Sequence, residues 1–307
     1  MDLQGCGTAL VTPFRADGSI DERALWDLAR WQVDSGIDWL LACGTTAETP
    51  TLEEAEWLQV IRIVAEAAGG RVPVWAGCSH NSTREAVAHA RAAAQIPGVT
   101  AILTANPWYN KPTQQGQYEH FKAVAAAVRL PVVLYNIPGR SAANLEPATV
   151  LRLIEALPNI QAVKESSGNL VQITELITQT PRSFHVYAGD DTMALGVLGV
   201  GGAGLISVAS NVVPDELTQM VHAALGNDWP TARRINRKYF CLMQGLFRET
   251  SPGPVKAVLA MMGKLGENYR LPMVPVTAGT RAGLERLAGE LGLLVNGPRT
   301  EGDLRTY

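Results

Sequence analysis

Apolar residues fall in eight short, nearly unbroken runs along the first two-thirds of the chain. They occupy residues 7–11, 39–42, 72–76, 99–105, 131–135, 160–163, 185–188 and 204–208. A strand with one wet face alternates apolar and polar residues, whereas a parallel strand covered on both faces reads as a continuous apolar run. Between the runs the period becomes helical. Leu58, Ile61, Ala65 and Ala68 form one stripe, and Leu25, Leu28 and Ala29 begin another. Two stretches, Thr51-Leu52-Glu53-Glu54 and Ser82-Thr83-Arg84-Glu85, fit the capping box that opens a helix, which gives Glu54 and Glu85 a structural reading. Eight βα units in one chain predict an α/β fold, a closed (β/α)8 TIM barrel.

After Val208 the strand signal stops. Residues 214–225, 229–247, 254–265 and 280–291 read as consecutive helices. The expected organisation is a barrel over 1–225, a C-terminal helical extension over 226–295, and a flexible tail over 296–307, which is polar and carries Gly297, Pro298 and Gly302.

Composition narrows the function classes. Hydrophobic residues make up 47% and charged residues 18%, enough for a large core. A net charge of −3 gives no electrostatic case for nucleic acid or an anionic membrane. No apolar run reaches the roughly 18 residues of a membrane helix, and the N-terminus lacks a basic-then-apolar targeting pattern. Cys6, Cys43, Cys78 and Cys241 share no metal or disulfide spacing with one another. They read as free thiols, and a cytoplasmic protein is expected.

In such a barrel the chemistry lies at the C-terminal ends of the strands. The second run ends in Cys43-Gly44-Thr45-Thr46-Ala47-Glu48, a turn whose backbone N–H groups and hydroxyls suit a carboxylate. The fourth ends in Asn106-Pro107-Trp108-Tyr109-Asn110-Lys111-Pro112, a stiff aromatic loop that equally suits a subunit contact. The fifth ends in Tyr135-Asn136-Ile137-Pro138-Gly139-Arg140, with Arg140 expected on a tight Pro-Gly turn. The sixth ends in Lys164 and the seventh in Gly189-Asp190-Asp191. Taken alone, Lys164 is a solvated strand end. Strand alternation, however, puts Lys164 on the same face as Ala162 and Glu165 on the opposite face with Val163. An inward lysine loses the hydration of its ammonium, which favours the free amine that attacks carbonyls. With Tyr135 to carry protons and Thr45, Thr46 and Arg140 to receive carboxylates, the set suits Schiff-base chemistry on a 2-oxo acid.

Three other patterns carry less. Gly199-Val200-Gly201-Gly202-Ala203-Gly204 matches G-x-G-x-x-G but precedes a strand, so it is expected to be a helix-to-strand turn rather than a dinucleotide site. The five histidines show no metal spacing, which disfavours a metal-dependent aldolase. Asp190 and Asp191 are expected to open a helix, where its dipole favours acids.

Together, Gly44-Thr45-Thr46-Ala47-Glu48, Pro107-Trp108-Tyr109-Asn110, Tyr135-Asn136-Ile137-Pro138-Gly139-Arg140, Val163-Lys164-Glu165, Gly189-Asp190-Asp191 and Gly204-Leu205-Ile206-Ser207-Val208 resemble the dihydrodipicolinate synthase branch of the N-acetylneuraminate lyase superfamily. The resemblance runs from about Gly5 to Leu294. It implies that Lys164 forms a Schiff base with pyruvate, that Tyr135 shuttles protons with Thr45 as relay, and that Tyr109 is lent across a dimer interface. It further implies that Thr46 helps bind the pyruvate carboxylate, that carbonyls of Gly189 and Ile206 face the reacting centre, and that Arg140 receives L-aspartate 4-semialdehyde. No cofactor or metal is implied beyond the covalently bound pyruvate, and the implied assembly is a homotetramer, a dimer of dimers.

Two other functions are weighed against this one. An aldolase or dehydratase of sugar-derived 2-oxo acids, of the N-acetylneuraminate lyase or 2-oxo-3-deoxy-gluconate type, resembles the chain elsewhere but usually lacks an arginine at Arg140. A non-catalytic paralogue that binds a 2-oxo acid has no need of Lys164, Tyr135, Thr45 and Tyr109 together. Asn81 and Glu85 match the family's lysine-feedback site, while Glu54, Trp57 and Trp108 depart from it, and Ala47 replaces a common glycine. Feedback by L-lysine is therefore expected to be weak or absent, and potent submillimolar inhibition in an activity assay would overturn that expectation.

Overall fold

In the computed structural model, which describes residues 4–294, eight parallel strands close into a barrel in sequence order. They are β1 (Gly5–Ala9), β2 (Trp39–Ala42), β3 (Val74–Gly77), β4 (Val99–Ala105), β5 (Val132–Asn136), β6 (Ile160–Glu165), β7 (His185–Ala188) and β8 (Gly204–Ser207). The proposed tail, 296–307, lies outside the described residues. Each apolar run holds a strand, but the boundaries shift for physical reasons. β1 starts two residues earlier than predicted, where Gly5 and Cys6 pair with Gly204 and Leu205, and ends before the buried Leu10 and Val11, since apolarity reports burial rather than strand membership. β3 starts after Pro73, which has no N–H to give a ladder.

Inside the barrel, Trp39 and Trp75 stack at 4.7 Å with Tyr187 packed against both. Small neighbours such as Ala9, Ala101 and Ala162 make room for these rings. The seam between β8 and β1 is tighter still. A Cβ on Gly204 would lie 1.9 Å from the Gly5 carbonyl oxygen, so closure requires glycine there. The glycine-rich segment before it is the expected turn between the helix Ala194–Gly199 and β8.

The predicted capping boxes do not form. Thr51 belongs to a short 3-10 turn, Thr49–Thr51, and its hydroxyl donates to the Glu48 carbonyl. The box instead pairs Glu53 with Glu56 at the start of the helix Glu54–Ala68. Ser82 does precede the helix Thr83–Ala93, but its side chain caps nothing, and Glu85 pairs with Arg84.

Beyond β8, the helices Pro214–Leu225, Trp229–Gly245, Gly253–Met261 and Ala278–Glu290 follow one another. The first packs on β1, the second on the first, and the last two on each other. Among the described residues, no helix is long and apolar enough to cross a membrane, and no group of three potential metal ligands converges.

Candidate active site

Strand register assembles the centre. Lys164 is paired with Tyr135 on β5 and Tyr187 on β7, and all three face inward. The Lys164 side chain is buried, 5% exposed, and its Nζ lies 4.4 Å from the centroid of the Tyr135 ring. Among the described residues it makes no ion pair. This is an uncommon placement, because buried lysines are generally matched with a carboxylate. Gly189, at the end of β7, explains how the lysine stem fits. A Cβ there would sit 2.9 Å from Lys164 Cε and 2.0 Å from Ser166 Oγ. Any larger residue would push the amine out of place. Ile206 on β8 is fully buried in the same interior cluster.

Glu165 takes the opposite face, as alternation predicts. Its carboxylate accepts from Asn136 Nδ2 at both oxygens (3.1 Å each), from the Ser167 N–H (2.8 Å) and from Gln172 Nε2 (3.1 Å). Burial pushes its pKa up while these donors oppose the shift. Asn136 also donates to Asn144 Oδ1 and accepts from the Leu145 N–H. This buried network pins the loop after β5 to the strand that carries Lys164.

That loop contains Arg140. It is not the tight Pro-Gly turn expected but a single helical turn, Pro138–Ser141, ended by Ala142 at φ 54°. Proline at the first helical position and a left-handed residue past the last make this local stop. Arg140 is exposed, and its Nη2 donates to the Ser251 carbonyl at 3.2 Å. Thr45 is also exposed, whereas Thr46 is buried. Thr45 and Arg140 line one cavity of about 580 Å³ together with Asn81 and Trp108. Two of the carboxylate-receiving candidates, Thr45 and Arg140, therefore stand around a common opening, while Thr46, Lys164 and Tyr135 are buried.

Tyr109 stands apart from this set. It is 88% exposed and adopts φ 74°, a backbone that a bulky residue rarely takes. The loop aims it away from its own chain. Asn81 donates to the Trp108 carbonyl and accepts from Asn110 through its own carbonyl, so it holds that loop. Trp57 is buried, donating to the Gly77 carbonyl and stacking on His89, whose pKa burial lowers.

Two features escaped the sequence reading. Asp191 is the first residue of the 3-10 turn Asp191–Met193, which Asp190 caps, but its carboxylate binds elsewhere. The Asp191 carboxylate is 1% exposed and accepts from Ser207 Oγ and from the N–H groups of Val208 (3.1 Å) and Ala209 (3.0 Å). Burial pushes its pKa up. It ties the end of β7 to the end of β8. The second feature is Lys256, completely buried, with Nζ 2.5 Å from Glu48 Oε1. Its signal in the sequence is one charge inside Pro254-Val255-Lys256-Ala257-Val258-Leu259-Ala260.

Comparison with known proteins bears directly on this geometry. The model of the dihydrodipicolinate synthetase family matches residues 2–290. The chain belongs to that family. A 4-hydroxy-tetrahydrodipicolinate synthase of Acidobacterium capsulatum is 72% identical over 97% of this chain and 99% of the relative. One of Koribacter versatilis is 59% identical over 96% and 98%. The solved structure of a chloride-inhibited dihydrodipicolinate synthase from Acinetobacter baumannii, complexed with pyruvate, is 38% identical with a TM-score of 0.93, covering 95% of this chain and all of that one.

Proposed function

We propose that the chain is a Schiff-base lyase that condenses pyruvate with L-aspartate 4-semialdehyde to 4-hydroxy-tetrahydrodipicolinate, a step of diaminopimelate and lysine biosynthesis. The observation that carries the mechanism is Lys164: an inward, buried amine without an ion-pair partner among the described residues, set over Tyr135 at the C-terminal end of its strand. The amine adds to the C2 carbonyl of pyruvate, and loss of water leaves an imine. The protonated imine withdraws electrons from C3, a C3 proton leaves, and the resulting enamine attacks the aldehyde carbon. The amino group that the semialdehyde brought in then adds to the imine carbon, closing the ring and displacing the Lys164 amine, which releases the cyclic product. Tyr135 is the residue placed to move these protons, with Thr45 as its relay to the opening. Thr46 and Thr45 receive the pyruvate carboxylate, Gly189 and Ile206 line the reacting centre, and Tyr109 completes the site of a neighbouring subunit. The reaction asks for no further cofactor, since pyruvate itself is held covalently. The four free cysteines suit a reducing cytoplasm. Borohydride reduction in the presence of pyruvate should leave one pyruvate-derived adduct, on Lys164. An unmodified Lys164 would overturn the mechanism.

Arg140 decides the second substrate. A guanidinium at the opening offers a two-pronged match to an amino-acid carboxylate. Arg140→Ala is expected to raise the half-saturating semialdehyde concentration by about 10- to 100-fold, the scale of a lost charged hydrogen bond, while half-saturation by pyruvate stays as it was. Equal shifts for both substrates, or none, would return the choice to a sugar-derived 2-oxo acid.

The exposed Tyr109 supports a contact between subunits, and the assembly proposed around it is a homotetramer, a dimer of dimers. Sedimentation should give a tetramer, and Tyr109→Ala should lower turnover with Lys164 labelling retained. A monomer with full activity would end that reading.

A further inference from the structure

Lys256 is a second buried lysine, and its surroundings differ wholly from those of Lys164. Glu48, its partner, sits at φ 54° between two consecutive 3-10 turns, Thr45–Ala47 and Thr49–Thr51. The backbone there is left-handed, which a glutamate adopts only when something holds it. What holds it comes from the C-terminal extension. Lys256 Nζ donates to Glu48 Oε1 at 2.5 Å and faces the rings of Phe14 (4.5 Å) and Tyr269 (5.0 Å). The backbone N–H of Arg270 donates to Glu48 Oε2 at 3.2 Å. The Arg270 guanidinium then grips the far end of the same segment. It donates to the Thr51 carbonyl at 2.8 Å and to both carboxylate oxygens of Glu56 at 2.6 Å.

We propose that Glu48 and Lys256 are positioning residues: through this buried pair the C-terminal extension fixes the Thr45–Thr46 turn, and so sets how tightly the pyruvate carboxylate is received. The inference rests on the reading of Thr45 and Thr46 given above. A pair that served folding alone would change stability and leave each substrate's half-saturation untouched. A positioning pair shifts one substrate's half-saturation and not the other's.

The test uses Glu48→Gln combined with Lys256→Met, which removes both charges together and leaves neither one buried alone. Half-saturation by pyruvate, followed by borohydride labelling of Lys164, should rise about tenfold, as when a supporting contact of a ligand site is lost. Labelling at saturating pyruvate and half-saturation by the semialdehyde should stay as they were. Glu56→Gln, a change on the partly exposed side that loosens Arg270, should raise the same pyruvate value by a smaller factor, and it decides the matter if the double variant does not fold. Wild-type pyruvate values in whichever variants fold would overturn the proposal. Thr46→Val, measured alongside, separates the two claims. If it leaves pyruvate binding unchanged, the placement of the carboxylate is wrong and the positioning proposal falls with it. If it weakens binding while the Glu48 and Glu56 variants do not, only the positioning proposal falls.

Discussion

Lys164→Met is expected to abolish turnover and yet leave the protein at least as stable as before. Loss of a covalent nucleophile lowers turnover on the order of 10⁴-fold or more, and no other described lysine lies in the barrel interior to replace it. Stability should move the other way. The Lys164 amine is buried without an ion pair among the described residues, so its removal uncovers no charge there, and the methionine stem fills nearly the same volume beside Tyr135 and Gly189. Denaturant unfolding should therefore give a midpoint equal to or above that of the wild type. A clear loss of stability would mean that Lys164 has a structural partner, and retained turnover would remove it from the chemistry. The pattern is the one expected where a residue is kept for function against the preference of the fold.

The barrel was legible because its signals are local and repeated. Eight apolar runs separated by helical stripes have few ways to bury themselves, and period-two alternation alone set Lys164 and Glu165 on opposite faces. The helix Pro214–Leu225 was read with its observed bounds, since proline opens it and a glycine follows its last residue. Contacts between segments distant in the sequence were harder to read. Glu48 and Lys256 are 208 residues apart, and nothing near either one names its partner. Asp191 looked like an ordinary helix-opening acid because Asp190, beside it, is one; only the fold brings Ser207 and the Val208 and Ala209 N–H groups to its carboxylate. The capping boxes failed for a related reason. Thr51 matched the pattern, but Pro50 and the left-handed Glu48 had already committed it to a 3-10 turn. The roles of Thr45, Thr46 and Arg140 came from residue type at strand ends, and the cavity shared by Thr45 and Arg140 is what now supports reading those two together.

Lys256→Met should behave as the converse of Lys164→Met. Both are buried lysines replaced by the same side chain, but Lys256 neutralises a carboxylate that is itself fully buried. Burial pulls the Lys256 pKa down while Glu48 holds it up, so the pair stays together only as long as both members are present. Removing one partner of a buried ion pair costs about 3–5 kcal/mol, because the other is left as an uncompensated charge. Removing both is far milder, since the desolvation of each charge is relieved along with their attraction. The single variant should thus unfold at markedly lower denaturant than the wild type, and adding Glu48→Gln to it should recover most of the loss. This recovery is the decisive measurement. Single and double variants that are equally destabilised would mean that Lys256 contributes through packing against Phe14 and Tyr269, and that the charge on Glu48 is satisfied by the Arg270 N–H alone. A rescued double variant would instead assign the loss to the stranded carboxylate. The stable double variant is then the form in which the effect of the pair on pyruvate binding can be read apart from its effect on folding.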